Sequence, residues 1–129
     1  MIETGVVVTA AGSVFWHLPP GRTGGGIPDT RTLWEVLWEH RKDEGLGFAH
    51  THPGSGVPGP SHTDVTTFSA VERGLGRRLT WWITNSSNTV ALHWTGPGEH
   101  DYAPSVVTDE PDWVEQLRKH SEEEKEDGQ

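Results

Sequence analysis

Two histidines one residue apart, followed within a short loop by a serine and an aspartate, are residue types that can bind a metal and activate water. The stretch AHTHPGSGVPGPSHTD (49–64) places His50 and His52 before a Gly/Pro-rich loop, and Ser61 and Asp64 after it. If a strand runs through Thr51, side-chain alternation sends both imidazoles the same way. Pro53 stops that strand, and Gly54, Gly56 and Gly59 let the backbone fold back tightly. A helix opening at Ser61 holds Asp64 in its first turn, where the carboxylate can return to the histidines as a third ligand. Two imidazoles and one carboxylate leave a fourth tetrahedral position for water, the arrangement of a catalytic rather than a structural zinc. Such an ion lowers the pKa of its water to about 7 and polarises a bound carbonyl. The chain has no cysteine, which excludes disulfides and thiolate ligands and leaves nitrogen and oxygen donors. Those donors also suit iron, cobalt or manganese.

The same residues have a plainer explanation. Ser61-His62-Thr63-Asp64 fits a helix capping box, with Asp where Glu is usual, so that Ser61 and Asp64 only satisfy free backbone N–H groups. His62, in a first turn, is expected at the surface.

The elements that must position these groups are readable on both sides. TGVVVTA (4–10) and SVFWHL (13–18) are β-rich runs around Ala11-Gly12 and predict a hairpin. PPGRTGGGIPD (19–29) is a cluster of breakers, expected as a mobile loop that borders the substrate groove. Leu33, Trp34, Leu37 and Trp38 recur at helical spacing and predict a helix over 30–44, capped by Asp29 or Thr30 and ended by Gly45, with both tryptophans in the core. LGFAH (46–50) is a short strand leading into the loop. A second helix spans 61–76, with Val65, Phe68, Val71 and Leu75 on its buried side. RRLTWWITNSSNTVALHWTG (77–96) is a hairpin turning at Asn85–Asn88, and its adjacent Trp81 and Trp82 must face opposite sides. DEPDWVEQLRKH (109–120) is a last helix, acidic at its start and basic at its end as the helix dipole favours, with Trp113 and Leu117 as partners for one of those tryptophans. The order β-β-α-β-α-β-β-α predicts an α/β or α+β domain: one mixed sheet flanked by helices.

At 129 residues the chain is expected to form one domain. A net charge of −9 argues against a nucleic-acid partner. No apolar run is long enough to span a membrane, and the acid-containing start without a basic leader predicts no signal peptide. SEEEKEDGQ (121–129) carries five acids and one base, and is expected as a solvated, disordered tail.

His50-Thr51-His52-Pro53, a Gly/Pro loop and Ser61-His62-Thr63-Asp64 together resemble the metal motif of the JAMM (MPN+) metallopeptidases. These are zinc proteases and isopeptidases that include deubiquitinases and prokaryotic relatives. The resemblance runs over residues 2–96, because the family also has a helix and a strand before the histidines, a helix after the aspartate and two strands beyond it. It implies a cytidine-deaminase-like JAMM/MPN domain over 1–108, with the helix 109–120 packed on it. It implies zinc on His50, His52 and Asp64, and Ser61 as a donor to the oxyanion of a tetrahedral intermediate. The loop between His52 and Ser61 is one residue longer than the usual family spacing. The family's glutamate ahead of the first strand matches Glu3 in IETGVVV, which would be the general base on water and then the acid for the leaving amine. The plain alternative for Glu3 is an exposed carboxylate at a fraying end. Glu35, Glu39 and Glu44 rival it by charge alone and are expected to be solvated or paired with Arg31, His40 or Arg41.

The resulting expectation is a cytoplasmic zinc-dependent hydrolase cutting peptide or isopeptide bonds in a protein or peptide substrate, ubiquitin-like chains included. A ubiquitin-like tail would lie along an exposed strand. The alternative is a non-catalytic MPN-like binding or scaffold module, and Glu3 discriminates the two. A metallo-β-lactamase site would want more His and Asp directly after the pair, where Pro53-Gly54-Ser55 stand, and an amidohydrolase barrel needs a much longer chain.

Overall fold

A computed structural model describes residues 1–122. Its elements are β1 (Gly5–Thr9), β2 (Gly12–His17), α1 (Arg31–Glu39), β3 (Gly47–Thr51), α2 (His62–Leu75), β4 (Thr80–Thr84), β5 (Thr89–Trp94), β6 (Tyr102–Val106) and α3 (Asp112–His120). The strands form a single mixed sheet in the order β2-β1-β3-β4-β5-β6. Only β3 and β4 run parallel, and α2 is the crossover between them. The chain is therefore the expected α+β fold, with one mixed sheet and three helices.

β1 and β3 lie inside the sheet with both faces covered, which is why VVV and FAH read as continuous apolar runs rather than alternating ones. On one face α1 and α2 pack over Val7, Phe48, Trp81, Ile83, Val90 and Leu92. On the other face α3 lays Trp113, Val114 and Leu117 against Val6, Val8 and Ala49. Trp81 and Trp82 divide between these two cores as strand alternation requires, and Trp82 meets Trp113 edge-on with ring centroids 5.2 Å apart.

Several boundaries differ from the sequence expectation, each for a local reason. The first helix ends at Glu39, not 44, because His40 caps it and the chain turns over 40–45, where Gly45 takes a φ of 71°. Trp34 and Trp38 are not core: they are 39% and 46% exposed. Leu33, Val36 and Leu37 occupy the one side of α1 that faces the sheet, so the tryptophans fall on its flank. There they stack at 6.4 Å, with the Arg41 guanidinium 4.0 Å above Trp38. A sixth strand was not expected, because Pro104 in Tyr102–Val106 has no N–H to donate; it is tolerated at the sheet edge beside β5. The last helix starts at Asp112. Ser121, expected in the tail, is fully buried, and its hydroxyl donates to the Leu117 carbonyl (2.8 Å); residues 123–129 of that expectation lie outside the described residues. Among the described residues no helix is long and apolar enough to cross a membrane.

Candidate metal centre

β3 is paired on both sides, Gly5 opposite His50 on β1 and Ile83 beside it on β4, so the first histidine leaves from the middle of the sheet. It is 4% exposed and sits between the rings of Phe48 and Phe68. The extended backbone continues one residue past the strand, because the His52 N–H donates to the Thr84 carbonyl (2.9 Å). Both imidazoles therefore emerge on one side. The loop that follows is pinned: Asn85 and Asn88, in the β4–β5 turn, each donate a side-chain N–H to the Gly56 carbonyl (2.9 and 2.8 Å). Arg118 of α3 in turn donates to the Asn85 carbonyl (2.9 Å) while its guanidinium fork holds Glu110.

The capping box at the start of α2 is complete: the Asp64 N–H donates to Ser61 Oγ (3.0 Å), and the Ser61 N–H donates to Asp64 Oδ2 (2.9 Å). The box and the ligand role are not alternatives. With one oxygen held by the backbone, the carboxylate still reaches both rings, Oδ1 lying 3.4 Å from His50 Nε2 and Oδ2 3.1 Å from His52 Nε2. The two Nε2 atoms are 3.0 Å apart. Among the described residues, His50, His52 and Asp64 are the group of His, Asp or Glu ligand atoms found within 4.8 Å of one another. Donors bound at 2.0–2.1 Å to a tetrahedral ion stand about 3.3–3.4 Å apart; the two Nε2 atoms are 3.0 Å apart and each lies 3.4 or 3.1 Å from a different oxygen of Asp64, with one ligand atom from each residue within 4.8 Å of the others. Nδ1 of His50 is buried with no hydrogen-bond partner, so the polar contacts of this ring run through Nε2 into the cluster. The donor set fits a divalent ion.

The electrostatics agree. Burial alone would raise the Asp64 carboxyl, but hydrogen bonds from His50 and His52, the His50 charge and the Ser61 N–H outweigh it and hold it well below the usual carboxylate range. The hydrogen bond that the His52 ring donates to Asp64 raises its pKa against the effect of its burial, with the Asp64 and Glu3 charges adding to the rise. The centre is a place where positive charge is favoured.

Glu3 does not fray. Its N–H donates to the Thr23 carbonyl (2.9 Å), Ile2 donates to the Ser121 carbonyl (2.7 Å), and the Thr4 N–H donates to Thr51 Oγ1 (2.9 Å). The Glu3 side chain lines the same cavity of about 500 Å³ as His50, His52, Ser61 and Asp64. Burial pushes its pKa up, the His50 and His52 charges pull it down, and Asp64 raises it again. The rivals lie elsewhere: Glu35 is paired with Arg31 in the open (2.8 Å), and Glu39 and Glu44 are exposed. His62 is at the surface, with its ring 6.1 Å from that of His100.

His17 has no partner that sequence spacing identifies, so sequence reasoning misses it. It is 2% exposed, and its Nε2–H donates to the Pro28 carbonyl (2.8 Å), which ties down the loop whose Gly25, Gly26, Ile27 and Asp29 wall the cavity. Its signal was the position at the end of an aromatic strand, SVFWH, which turns it inward.

Compared with known proteins, the sequence matches no family model and no curated protein, so what the cluster does must come from its own geometry.

Proposed function

We propose that the protein is a zinc-dependent hydrolase of peptide or isopeptide bonds, of the JAMM type, acting in the cytoplasm on a protein or peptide substrate rather than on nucleic acid or at a membrane. One observation carries the proposal: His50, His52 and Asp64 bring three ligand atoms within 4.8 Å of one another while a second carboxylate, Glu3, faces the same cavity from outside the cluster. Bound by these three residues, zinc would supply a Lewis acid that polarises a carbonyl and brings water to a pKa of about 7.

The protein's own residues do the rest. Glu3, its pKa raised by burial, takes the proton from the attacking water as the new C–O bond forms. It then delivers that proton to the leaving amine nitrogen as the C–N bond breaks, so the carboxylate returns to its starting state. Ser61 Oγ already accepts the Asp64 N–H, which leaves its hydroxyl hydrogen free to donate to the oxygen that becomes negative. Asp64, locked by its capping box, holds the ligand set in register with the helix. The position of Glu3 is what favours an enzyme over a binding or scaffold module, which has no use for a base there.

The test is turnover of peptide and ubiquitin-like isopeptide fusions by the zinc-loaded chain. Glu3→Gln is expected to keep its zinc and lose about 100- to 10,000-fold in rate. Zinc retained with turnover unchanged would remove Glu3 from the chemistry.

A further inference from the structure

The cavity at the candidate centre has two unlike ends. One holds the ligands, Glu3 and Ser61. The other runs between α1 and α2 and is lined by Leu33, Leu37, Phe48, Phe68, Val71 and Trp81. Protein interiors are packed nearly as densely as organic crystals, with few voids larger than a water molecule. The space of about 500 Å³ here is larger than such voids and is a cleft open to solvent, with aromatic and aliphatic side chains at its base. The loop on its outer side is tied down. His17 fastens the outer loop at Pro28, the Glu3 N–H fastens it at Thr23, and the Thr23 N–H closes it on the Gly26 carbonyl (2.9 Å).

The lining chemistry limits what can enter. It has no lysine or arginine, and away from the ligand cluster its charged group is the Asp29 carboxylate, so an anionic group at the apolar end would find no fixed counter-cation. Water alone would leave the apolar end poorly hydrated, and a large uncharged group would gain by displacing it. Because this end opens onto the ligand cluster, its occupant must be attached to whatever presents a carbonyl there.

We propose that the apolar end of the cavity is a specificity subsite that takes one bulky uncharged side chain, leucine- or phenylalanine-like, on the residue next to the cleaved bond. The inference rests on the hydrolase proposal for the placing of the bond, though not for the binding itself. It separates this protein's substrate from tails that end in glycines, which would leave the space empty.

The probes are N-acetylphenylalaninamide, N-acetylleucinamide and N-acetylglycinamide, titrated into the isotope-labelled, zinc-loaded chain and followed by amide chemical shifts. The phenylalanine and leucine amides are expected to bind about tenfold or more tighter than the glycine amide, and to shift Leu33, Phe68 and Val71. Gly26→Trp is expected to abolish that preference with zinc content unchanged. A Cβ at Gly26 meets no atom within 4 Å, and the residue's φ is not in the left-handed region, so the added ring can occupy the cavity without backbone strain. Thr67→Trp approaches the same space from the exposed side of α2 and gives the same readout if the first variant folds poorly. Equal affinity for all three amides, or a preference that survives in a folded, zinc-loaded variant, overturns the subsite. Turnover that prefers glycine on both sides of the bond also overturns it and leaves the hydrolase intact. Probe binding in the cavity without turnover of any peptide or isopeptide does the reverse.

Discussion

Two carboxylates on one helix, Asp64 and Glu72, stand two turns apart on α2 and have opposite surroundings. Glu72 is 3% exposed and met only by donors: the Leu79 N–H (2.9 Å), Trp81 Nε1–H (3.0 Å), the Arg78 guanidinium (3.0 Å) and the Tyr102 hydroxyl. Every oxygen is served, and the group binds α2 to β4 and β6. Asp64 faces two imidazole nitrogens, 3.0 Å from each other, each of which can offer a cation a lone pair once its proton is on Nδ1 or lost. In the first site hydrogen supplies the positive charge. In the second, the nitrogens and oxygens crowd together in a way that a cation resolves best. Burial of an acid does not by itself distinguish a strut from a ligand. The character of the atoms aimed at it does.

The largest effect expected from this contrast is on stability. Glu72→Ala would strand the Leu79 N–H and Trp81 Nε1–H in the core, at a cost of about 3 kcal/mol or more in urea unfolding of the metal-free chain. A loss under 1 kcal/mol would show that those donors find other partners. Asp64→Asn should do the opposite. Ser61 remains the N-cap and an Asn oxygen at 64 still accepts the Ser61 N–H, so metal-free stability should change by about 1 kcal/mol or less. Zinc affinity should fall by about 100-fold or more, since even outer partners of a ligand are worth 10- to 100-fold.

His17 sharpens the comparison as an intermediate case, a buried polar ring with one hydrogen-bond partner. Burial pushes its pKa down, only partly offset by the Pro28 carbonyl and Asp29. A ring that stays neutral in the fold but charges near pH 6.5 in the unfolded chain costs nothing above that pH. Below it the unfolded state binds the extra proton, so stability falls as pH drops, by no more than about 1.4 kcal/mol per pH unit. Unfolding free energies measured between pH 7.5 and 5 should be steeper for wild type than for His17→Gln; equal slopes would mean that His17 titrates alike in both states. The smallest effect is at Trp38, which lies outside both cores. Trp38→Ala should change stability by about 0.5 kcal/mol, against the 3–5 kcal/mol of a core aromatic.

What could be read from the sequence follows the same division. The strand into His50, the turn at Asn85–Asn88 and the helix opening at Ser61 are local, and local chemistry decided them: alternation, Asn side chains that mimic a turn, a serine cap. Capping box and metal ligand looked like rivals for Asp64 only because a sequence does not show that a carboxylate has enough lone pairs for both. The burial of Glu72 depends on donors from 78, 79, 81 and 102, which no spacing on α2 announces. The tryptophans of α1 were misplaced because apolar residues at 33, 34, 37 and 38 make a stripe wider than the sheet could cover. The sixth strand was hidden by its proline, and the cavity by the fact that its walls come from six separate stretches of chain.

Zinc K-edge X-ray absorption on the zinc-loaded chain tests the centre most directly, because it counts the ligands by type. The account predicts one ion per chain with two imidazole nitrogens and two oxygens at about 2.0–2.1 Å, and the loss of one imidazole in His52→Ala. A six-oxygen shell, or a spectrum unchanged by His52→Ala, would contradict it.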